Sequence, residues 1–458
     1  MLIVALAVVA VAVSSPWWLP GRVVALRVRL FARLNGDAAI PVPGDLVGVE
    51  RFKELYSHPA AGGRSEGAAL SDLFWYWLSP GPEIHQEHIE AGGRYDAVAR
   101  ATRGFLAVPR REAEELARRC VAAQVGVAGG MRAGGGLVRL RDLMMPIWAA
   151  FYYELVFGRP CPPEARELIV ANADDVASAL TCCGLRHLKL RLRLTAYLSE
   201  RLGEVRRPLP EGLSPEEQAL YLHGAFFTTA VVQTSEAMAH LLLEFARRPD
   251  LQDRARADED DRFLDQMMAE THRLYPLFGI AHRITTADID LGDGVEIPAG
   301  SVLCFNYPEF HRAGFADPGR FDPGRWSERQ GSRDANHIPF GVAANRPCPA
   351  MRLAPIVMRA AAREILRRYA LASSATHTRS LPNRGPCLLI PRDGRTSAAR
   401  PILVFVRLRD RFEDVWRSLV QLVLGTAMVL DSRRLRLCEH HFSGAETSDA
   451  LTRPDRRG

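Results

Sequence analysis

Apolar residues recur every three to four positions through most of the chain, and this spacing is typical of amphipathic helices. The period is clearest in three segments, which begin at Arg111, around Leu190 and at Ser214. Strand-like patterns are few and come late in the chain: a predicted hairpin pair at 289–306, around Gly292 and Gly300, and a second candidate at 379–392. The pattern therefore predicts a mainly α protein of the α+β class, with small sheets beside a helical body.

The longest helical pattern runs from Ser214 to Arg248. Ser214 is a favourable N-cap, Pro215 suits the first helical position, and Glu217 can complete a capping box. Pro249 ends the pattern. As one continuous helix, the segment would extend about 50 Å, which is long enough to cross a whole domain. We expect such a central helix to carry part of the functional site.

The N-terminal segment 1–21 contains no charged residue, and it is just long enough for the roughly 20 apolar residues of a membrane span. Pro16 is expected to interrupt the helix near its end. Trp17 and Trp18 occupy positions suited to a membrane interface, and the arginines from Arg22 onward favour a cytoplasmic body. The prediction is a membrane anchor. A cleaved signal peptide and a buried N-terminal helix are the alternatives, and the first is weakened because no basic residue precedes the apolar run.

These patterns divide the chain into four predicted parts. The parts are a hydrophobic anchor at 1–21, a basic, proline-containing linker at 22–45, a folded body at 46–397, and an extension at 398–458 with an amphipathic stretch and, from Ser443, a polar tail predicted to be disordered.

The composition excludes several classes of protein. Hydrophobic residues make up 47% of the 458 residues and charged residues 24%, which is ordinary for a globular protein with a core. The net charge of +6 is a mild excess, and no long basic run is interleaved with aromatic residues, so nucleic-acid binding has little support. The eight cysteines are irregularly spaced and include no CxxC pair, which indicates a reducing compartment rather than a disulfide scaffold or a zinc site.

One cysteine stands in an unusual setting. The stretch HIPFGVAANRPCPAMRLAP places Cys348 between two prolines, behind Arg346, just before an apolar helix. Its small residues leave room against the backbone, and a thiol at a helix N-terminus beside an arginine is biased toward the thiolate. These features predict a metal ligand or a nucleophile.

Other residues precede this loop in a definite order. Glu270 and Arg273 form an E-x-x-R pair in AETHRLYP, Arg283 follows in AHRIT, and Arg325 lies near the end of FADPGRFDPGRW. Alone, the E-x-x-R pair carries little information, because such pairs are common on exposed helices. The chain carries this pair and then, in order, the motifs F-D-P-x-R-W and F-G-x-x-x-N-R-P-C-P-A. In this order the motifs resemble those of the cytochrome P450 family of heme-thiolate enzymes. The resemblance covers roughly residues 41–392 and is specific from about Ser214.

The resemblance implies a cytochrome P450 fold with heme b between the long central helix and the cysteine loop, so that 46–397 is the catalytic domain. Cys348 would be the axial ligand of the heme iron. Glu270, Arg273 and Arg325 would form a structural triad that holds the cysteine loop. The other residues expected to contact the heme are Arg346 and Arg283 at its propionates, Phe340 in the loop, and Arg100 on a helix nearer the N-terminus.

The cysteine loop departs from the usual family pattern. Phe340 and Cys348 are one position further apart than usual, alanines stand where the first glycine is expected, and Ala350 replaces the last glycine. Asn345 is the candidate for the extra residue. Because alanine tolerates a positive φ poorly, we expect a reshaped loop.

The long helix departs from the pattern as well. The acid–alcohol pair that delivers protons in ordinary family members falls on Val232 and Gln233, with Thr234 next to them. Valine cannot transfer a proton, and glutamine is no acid near neutral pH. Thr228 and Thr229 come more than one turn too early unless the helical register shifts. We therefore keep Gln233 and Thr234 as the candidate catalytic residues.

The implied substrate is an apolar small molecule, and the implied setting is specialised metabolism. The predicted pocket residues are Trp75 and Trp77 in an aromatic lid segment, Val232 on the long helix, and Phe278 and Ile280 after the E-x-x-R helix.

An electron donor would have to be a separate protein, since the chain has no flavin, NADPH or iron–sulfur motif. A ferredoxin with its reductase, or a flavoprotein reductase, would fit a basic helix face after Cys348 that carries Arg352, Arg359, Arg363 and Arg367.

The leading functional hypothesis is a monooxygenase that is attached to a membrane through its N-terminus, with its catalytic domain in the cytoplasm; a soluble cytoplasmic enzyme is the alternative location. A second hypothesis is a heme-thiolate enzyme that uses peroxide, or that rearranges or couples its substrate. A third is a catalytically inactive scaffold or accessory protein.

Overall fold

The computed structural model describes residues 2–35, 39–66, 69–128, 136–292, 294–327, 335–375, 385–392 and 399–443. This part of the chain is mainly helical with three small sheets, which confirms the predicted class. The helices are α1 (Leu2–Asn35), α2 (Phe52–Ser57), α3 (Ala69–Leu78), α4 (Gly93–Leu106), α5 (Arg110–Ala128), α6 (Leu140–Phe157), α7 (Pro163–Leu180), α8 (Leu188–Ser199), α9 (Pro215–Leu222), α10 (Val231–Arg247), α11 (Pro249–Ala257), α12 (Arg262–Leu274), α13 (Tyr307–Phe310), α14 (Leu353–Arg368), α15 (Ala399–Leu435) and α16 (Leu437–Ser443).

The strands form three sheets. They are β1 (Ala39–Val42), β2 (Gly136–Arg139), β3 (Ile280–Ile284), β4 (Ile289–Asp290), β5 (Glu296–Ile297), β6 (Val302–Asn306), β7 (Tyr369–Ala372) and β8 (Pro386–Pro391). The first sheet has the order β1-β6-β3, with β1 parallel and β3 antiparallel to β6. The second has the antiparallel order β2-β8-β7, and β4 pairs with β5.

Two strand predictions need correction. The turn at Gly292 joins β4 to β5 as predicted, but the strand after Gly300 is β6, which pairs with β3 and β1 instead. The predicted linker at 22–45 is wrong near its end, because β1 adds a parallel strand to that sheet and the side chain of Val42 is fully buried. The second strand candidate contains β8, and its residues 379–384 lie outside the described residues.

The main core surrounds α6. Fourteen of its 18 residues are buried, including Trp148 and Phe151, so this helix is apolar on nearly all sides. A helix of that kind must be surrounded by other elements, and α5, α7 and α10 pack directly on it. On the far side of α10 and α5 lies α14, the helix that follows the cysteine loop. The core thus fixes α10 and α14, the two elements that flank the candidate site.

The predicted long helix is continuous, and its capping box at Ser214 and Glu217 is formed. Its middle part is unexpected: between α9 and α10, residues His223–Ala230 form a π segment, with a wider helical turn than an α-helix has. Buried hydrogen bonds to neighbouring helices hold this segment. The side-chain oxygen of Asn172 on α7 accepts from His223 Nε2 (2.9 Å), its amide nitrogen donates to Thr228 Oγ1 (2.9 Å), and His223 Nδ1 lies 2.8 Å from Thr195 Oγ1 on α8.

The N-terminal helix differs from its prediction. α1 continues through Pro16 and Pro20 to Asn35, past the predicted boundary at residue 21. A proline inside a helix leaves a carbonyl one turn earlier without its donor. For Pro16 that carbonyl belongs to Ala12, and the Ser15 hydroxyl donates to it at 2.8 Å, as side-chain hydroxyls do in apolar helices. The side chains described between Ile3 and Ser14 are exposed, which excludes the buried-helix alternative.

The C-terminal extension folds onto the body. α15 packs along α1 and α3, and α16 packs on α3. The predicted polar tail, from residue 444 onward, lies outside the described residues.

Candidate active site

The cysteine loop is closed by backbone hydrogen bonds. The Cys348 N–H donates to the Phe340 carbonyl at 2.9 Å. The positive φ values that the loop requires fall on Gly341 (73°) and Arg346 (51°), so the alanines avoid the strain that the sequence suggested. Asn345 fastens the loop to the segment after α2, because its side-chain amide donates to the carbonyls of His58 (3.0 Å) and Ala61 (3.4 Å). Asn345, the candidate for the extra residue, thus anchors the loop.

The Cys348 side chain is half-buried and lines a large cavity between the cysteine loop and the long helix. Burial raises the pKa of its thiol to about 11; an N–H from Ala350 lowers it and Glu87 raises it. The prediction that Arg346 favours the thiolate is therefore wrong. The Arg346 guanidinium turns away, donating to the Ile89 carbonyl at 2.8 Å and lying over the Tyr95 ring. A bound metal ion would be needed to hold Cys348 as a thiolate near neutral pH.

The structure brings Glu270, Arg273 and Arg325 together. Glu270 is fully buried and accepts five hydrogen bonds, two from Arg273 (both 2.8 Å) and one from Arg325 Nε (3.1 Å). The others come from the Asp322 N–H and the Trp326 indole, each at 2.9 Å. Arg273 in turn donates to backbone carbonyls of the segment before Arg325. This carboxylate therefore binds α12 to the chain that leads into the cysteine loop.

The cavity that contains Cys348 has a polar end and an apolar end. Its polar wall comes from α2 and the loop after it, from the loop between α3 and α4, from the first sheet and the start of α13, and from the cysteine loop. It includes Tyr56, Arg64, His85, Glu87, His88, His282, Tyr307 and Arg346. Its apolar wall includes Phe74, Leu78, Leu106, Val176, Leu180, Phe226, Val232, Leu277, Phe278 and Ile280. Such a cavity suits a molecule with an apolar body and a few polar groups at one end.

Buried cations at and behind the polar end have N–H groups without an acceptor. Among the described residues, Arg346 Nη2, Arg64 Nε and Arg283 Nε are buried and make no hydrogen bond. Burial and the nearby charge of Arg64 lower the pKa of Arg346 to about 10, while Glu87 and Glu90 act in the opposite direction. Arg64 has one carboxylate partner, Glu87, at 2.7 Å. Buried N–H groups need hydrogen-bond acceptors, and an anionic ligand would supply them here.

These features fit heme b. Cys348 would supply the iron ligand, and the small side chains of Gly341 and Ala350 leave space beside it. Arg346 and Arg64 would pair with the propionates.

Two predicted heme contacts are placed elsewhere. Arg283 does not line the cavity: it is fully buried against the Tyr56 ring and donates to the carbonyls of Tyr56 (2.7 Å) and Ala61 (3.3 Å). Arg100 is exposed on α4 and is also absent from the cavity wall. Arg64 lines the polar end of the cavity instead. The spacing of residues in the sequence had not indicated this arginine.

Some of the predicted catalytic and pocket residues line the cavity, and others do not. Val232, Gln233, Thr234, Phe278 and Ile280 line the cavity. Trp75 and Trp77 do not, because the helical turn of α3 directs their neighbours Phe74 and Leu78 to the cavity instead. The Trp75 indole donates to Ser65 Oγ at 3.1 Å and packs in a separate cluster with the C-terminal extension. The aromatic segment therefore contributes to the pocket through different members from those predicted.

A second polar pair, formed by His85 and Thr229, lies at the cavity. His85 Nε2 lies 2.6 Å from Thr229 Oγ1, and both residues line the cavity. His85 Nδ1 accepts the Glu87 N–H at 3.2 Å, so the neutral ring carries its hydrogen on Nε2 and donates it to Thr229. Gly224 allows the ring to approach, since a Cβ there would lie 3.2 Å from His85 Cδ2.

The π segment explains how Thr229 comes to line the cavity. Thr229 seemed to come too early in the helix, but it lies within His223–Ala230, where the wider turn changes the helical register. The sequence-predicted Thr234 has another partner, the Tyr152 hydroxyl at 3.0 Å. Gln233 lines the cavity next to it.

The predicted basic face after Cys348 is largely neutralised within the chain. Arg359 pairs with Asp265 at 2.7 Å, Arg363 pairs with Asp261, and Arg367 pairs with Glu364 at 3.0 Å. These contacts join α14 to the start of α12 and to its own turns. The stripe therefore offers a partner less uncompensated charge than its composition suggests.

Comparisons with known proteins agree with this geometry. The cytochrome P450 family model matches residues 194–396. Cytochrome P450 monooxygenase ffsD from Aspergillus flavipes is 30% identical over 120 residues, which cover 22% of this chain and 22% of that protein. Cytochrome P450 3A41 from Mus musculus is 24% identical over 241 residues, 48% of this chain and 45% of that protein. The matches thus span less than half the length of these curated relatives.

Solved structures share the fold. A 6-coordinated cytochrome P450 from Thermus thermophilus superimposes with a TM-score of 0.58 at 21% identity, covering 72% of this chain and 88% of that one. A zebra fish cytochrome P450 crystallised with progesterone gives a TM-score of 0.60 at 16% identity, covering 75% of this chain and 90% of that one. The solved structures show that the fold is shared. The family model and the curated relatives, together with the ordered sequence motifs, show that the chain belongs to the cytochrome P450 family.

Proposed function

We propose that this chain is a heme-thiolate oxidoreductase, most simply a monooxygenase, that acts on an apolar small molecule. One observation carries the proposal: a single cavity joins the Cys348 thiol, a polar end with unpaired buried arginine N–H groups, and an apolar wall. Heme b, held by Cys348 and by Arg346 and Arg64, would supply the oxidising chemistry. Residues 46–397, with β1 added to their first sheet, would form the catalytic domain, and electrons would come from a separate ferredoxin or flavoprotein reductase.

The protein's own contribution to proton handling rests on His85 and Thr229. Burial lowers the pKa of His85, although Glu87 acts to raise it, so the ring is neutral near pH 7. Since the neutral ring donates to Thr229 Oγ1, the hydroxyl keeps its own hydrogen to donate into the cavity. Thr229 would thus provide a positioned O–H donor where Val232 and Gln233 supply no acid. General acid assistance by a positioned group is typically worth about 10²–10⁴ in rate.

A peroxide-using or rearranging enzyme is the second candidate. It is favoured by the absence of a carboxylic acid from the described part of the cavity wall on α10, and by the intramolecular pairs that occupy Arg359, Arg363 and Arg367. Such an enzyme would need no electron donor. The inactive scaffold remains a third hypothesis, which predicts no turnover with any oxidant.

We also propose that the chain is associated with a membrane through α1 and that the catalytic domain lies in the cytoplasm. Among the described residues, α1 is the one helix long and apolar enough to span a bilayer, from Ile3 to Leu30. A soluble cytoplasmic enzyme is the alternative, and fractionation of cells that express the full chain separates the two.

Turnover of the heme-loaded protein tests these functions. A panel of apolar substrates is incubated with NADPH and a ferredoxin system, or with hydrogen peroxide alone. A monooxygenase oxidises a substrate in the first mixture, and a peroxide-using enzyme does so in the second; no oxidation in either would leave the scaffold.

Three variants then separate the roles of the hydroxyls. Thr229→Val and His85→Leu should lower the rate about 10- to 100-fold, and both should shift the C–O stretching frequency of the carbon monoxide complex, which reports hydrogen-bond donors in the cavity. Thr234→Val is the matched control, because the Thr234 hydroxyl is bonded to Tyr152. Equal effects of Thr229→Val and Thr234→Val on both readouts would reject the assignment of Thr229.

A further inference from the structure

α1 and α15 lie side by side and run in the same direction. Arg27 Nη1 donates to Gln421 Oε1 at 2.8 Å, and the Arg411 guanidinium lies 5.2 Å from the centre of the Trp17 ring. In both pairs the partners are 394 positions apart. The two helices are therefore parallel, in a constant register, over at least the segment between these contacts.

The inner side of α15 is attached to the folded body. Gln421 Nε2 donates to the Thr181 carbonyl at 2.8 Å, and Met428 is buried in a cluster with Trp75. The helix after α15 is fastened too, since the Cys438 N–H donates to Asp72 Oδ1 of α3 at 2.8 Å. α15 is thus a docked element with a defined inner and outer face.

The outer face of α15 is apolar and uncovered. Seven large apolar residues, spaced three, four or seven positions apart and between 38% and 69% exposed, form one stripe. They are Val404, Leu408, Phe412, Trp416, Leu419, Val423 and Leu430. The stripe is about 39 Å long by helical rise. α1, which packs along α15, also exposes large apolar side chains such as Val9 and Trp17. Exposed apolar patches on adjacent elements often mark membrane or protein contact sites.

The register conflicts with a transmembrane α1. The contact with Trp17 fixes Arg411, and the same offset continued by one helical turn places Arg407 beside residue 13 of α1. If residues 1–21 crossed a bilayer while α15 stayed attached, these arginines and Asp410 would enter the hydrocarbon, where charged side chains are costly. α15 as a whole carries seven arginines and four acidic residues, so it cannot itself be a span.

We propose that α1 and α15 form a parallel helix pair that lies in the plane of an anionic bilayer surface, with the apolar stripe of α15 inserted at the boundary of headgroups and acyl chains. Amphipathic helices with aromatic residues on one face and arginines at its borders bind membranes in this way. Trp416 and Trp17 suit that depth, and the exposed Arg407 and Arg411 would meet the phosphates. This inference rests on the proposed membrane association, but it replaces a spanning anchor by an in-plane one.

Photocrosslinking of the full-length chain tests the proposal. A photoreactive phenylalanine analogue replaces Trp416 or, as the matched control on the inner face of the same helix, Met428, which is fully buried. A third protein carries the analogue at Val9 of α1. The proteins are bound to vesicles of phosphatidylcholine and phosphatidylglycerol, illuminated, and analysed for lipid adducts. An N-terminal epitope tag is then exposed to protease added outside the intact vesicles.

The in-plane pair predicts lipid adducts at positions 416 and 9, several-fold above those at 428, and a tag that the protease removes. Adducts at Val9 alone with a protected tag would show a spanning α1, which overturns the inference and leaves membrane association intact. Adducts at 416 to a second copy of the chain would identify a protein interface and would also overturn it. No lipid adduct at any position would refute both the inference and the membrane proposal.

Discussion

The buried carboxylate of Glu270 allows a quantitative prediction. Replacing it with alanine removes the acceptor of five hydrogen bonds and the only carboxylate that Arg273 contacts among the described residues. Arg273 is fully buried, and it would keep the carbonyls of Pro318 and Arg320 and the ring of Phe315, none of which carries a compensating charge.

The expected loss follows from these contacts. Removing one partner of a buried ion pair costs about 3–5 kcal/mol, because the other charge remains buried without compensation. The unsatisfied indole of Trp326 and N–H of Asp322 each add up to about 1–3 kcal/mol, less any gain from entering water. Glu270→Ala should therefore lower the free energy of unfolding by about 5 kcal/mol, which is a third or more of the stability of a typical domain.

The assay is urea unfolding followed by circular dichroism, with and without added hemin. The matched control is Glu114→Ala, which breaks an exposed i,i+4 pair with Arg110 at 2.7 Å and should cost only a few tenths of a kcal/mol. Glu270→Gln, which keeps the volume but not the charge, should fall between the two. If Glu270→Ala lost less than about 1 kcal/mol, comparable to an exposed pair, the argument from buried charge would be refuted.

Three further outcomes are expected. Burial lowers the pKa values of His272 and His282 to about 4; for His282, Arg64 lowers the pKa as well and a backbone hydrogen bond raises it. Since both histidines titrate near pH 6.5 in the unfolded chain, the free energy of unfolding should decrease as the pH drops from 6.5, by about 2 kcal/mol per histidine at pH 5. Urea melts at a series of pH values measure this decrease, and a flat profile would contradict it. Asn172→Ala should cost about 2–3 kcal/mol, because it leaves two buried groups of the π segment unpaired, and the loss is checked by the same melts against a surface alanine variant. Arg346→Gln should speed the transfer of heme to apomyoglobin while Arg100→Gln should not, and equal rates would remove Arg346 from the heme site.

The features that the sequence predicted well depend on short spacings. The capping box at Ser214, the E-x-x-R pair and the cysteine loop each lie within a few positions, so local geometry brings their residues together. Their order along the chain was enough to indicate the family. The helical period likewise predicted the mainly α fold, because amphipathic helices must cover a common core.

The residues that were missed depend on contacts between distant segments. His85 and Thr229 are 144 positions apart, and the apolar period does not reveal the π segment that carries Thr229. Arg64 likewise reaches the cavity from the loop after α2, whereas the predicted Arg100 points to solvent. The low-pKa prediction for Cys348 failed because burial outweighs any local charge. Desolvation is a property of the assembled fold, and a single sequence does not display it.

The bond between the Cys348 sulfur and heme iron is the claim on which the proposed function depends. Its most direct test is the absorption spectrum of the reduced, heme-loaded protein under carbon monoxide, recorded for the native chain, for Cys348→Ser and for the control Cys304→Ser, whose half-buried cysteine is absent from the cavity wall. The native protein and the Cys304→Ser variant should both show the strongly red-shifted Soret band of a thiolate ligand, and Cys348→Ser should lose it. An unchanged band in Cys348→Ser, or no red-shifted band in the native protein, would contradict the account.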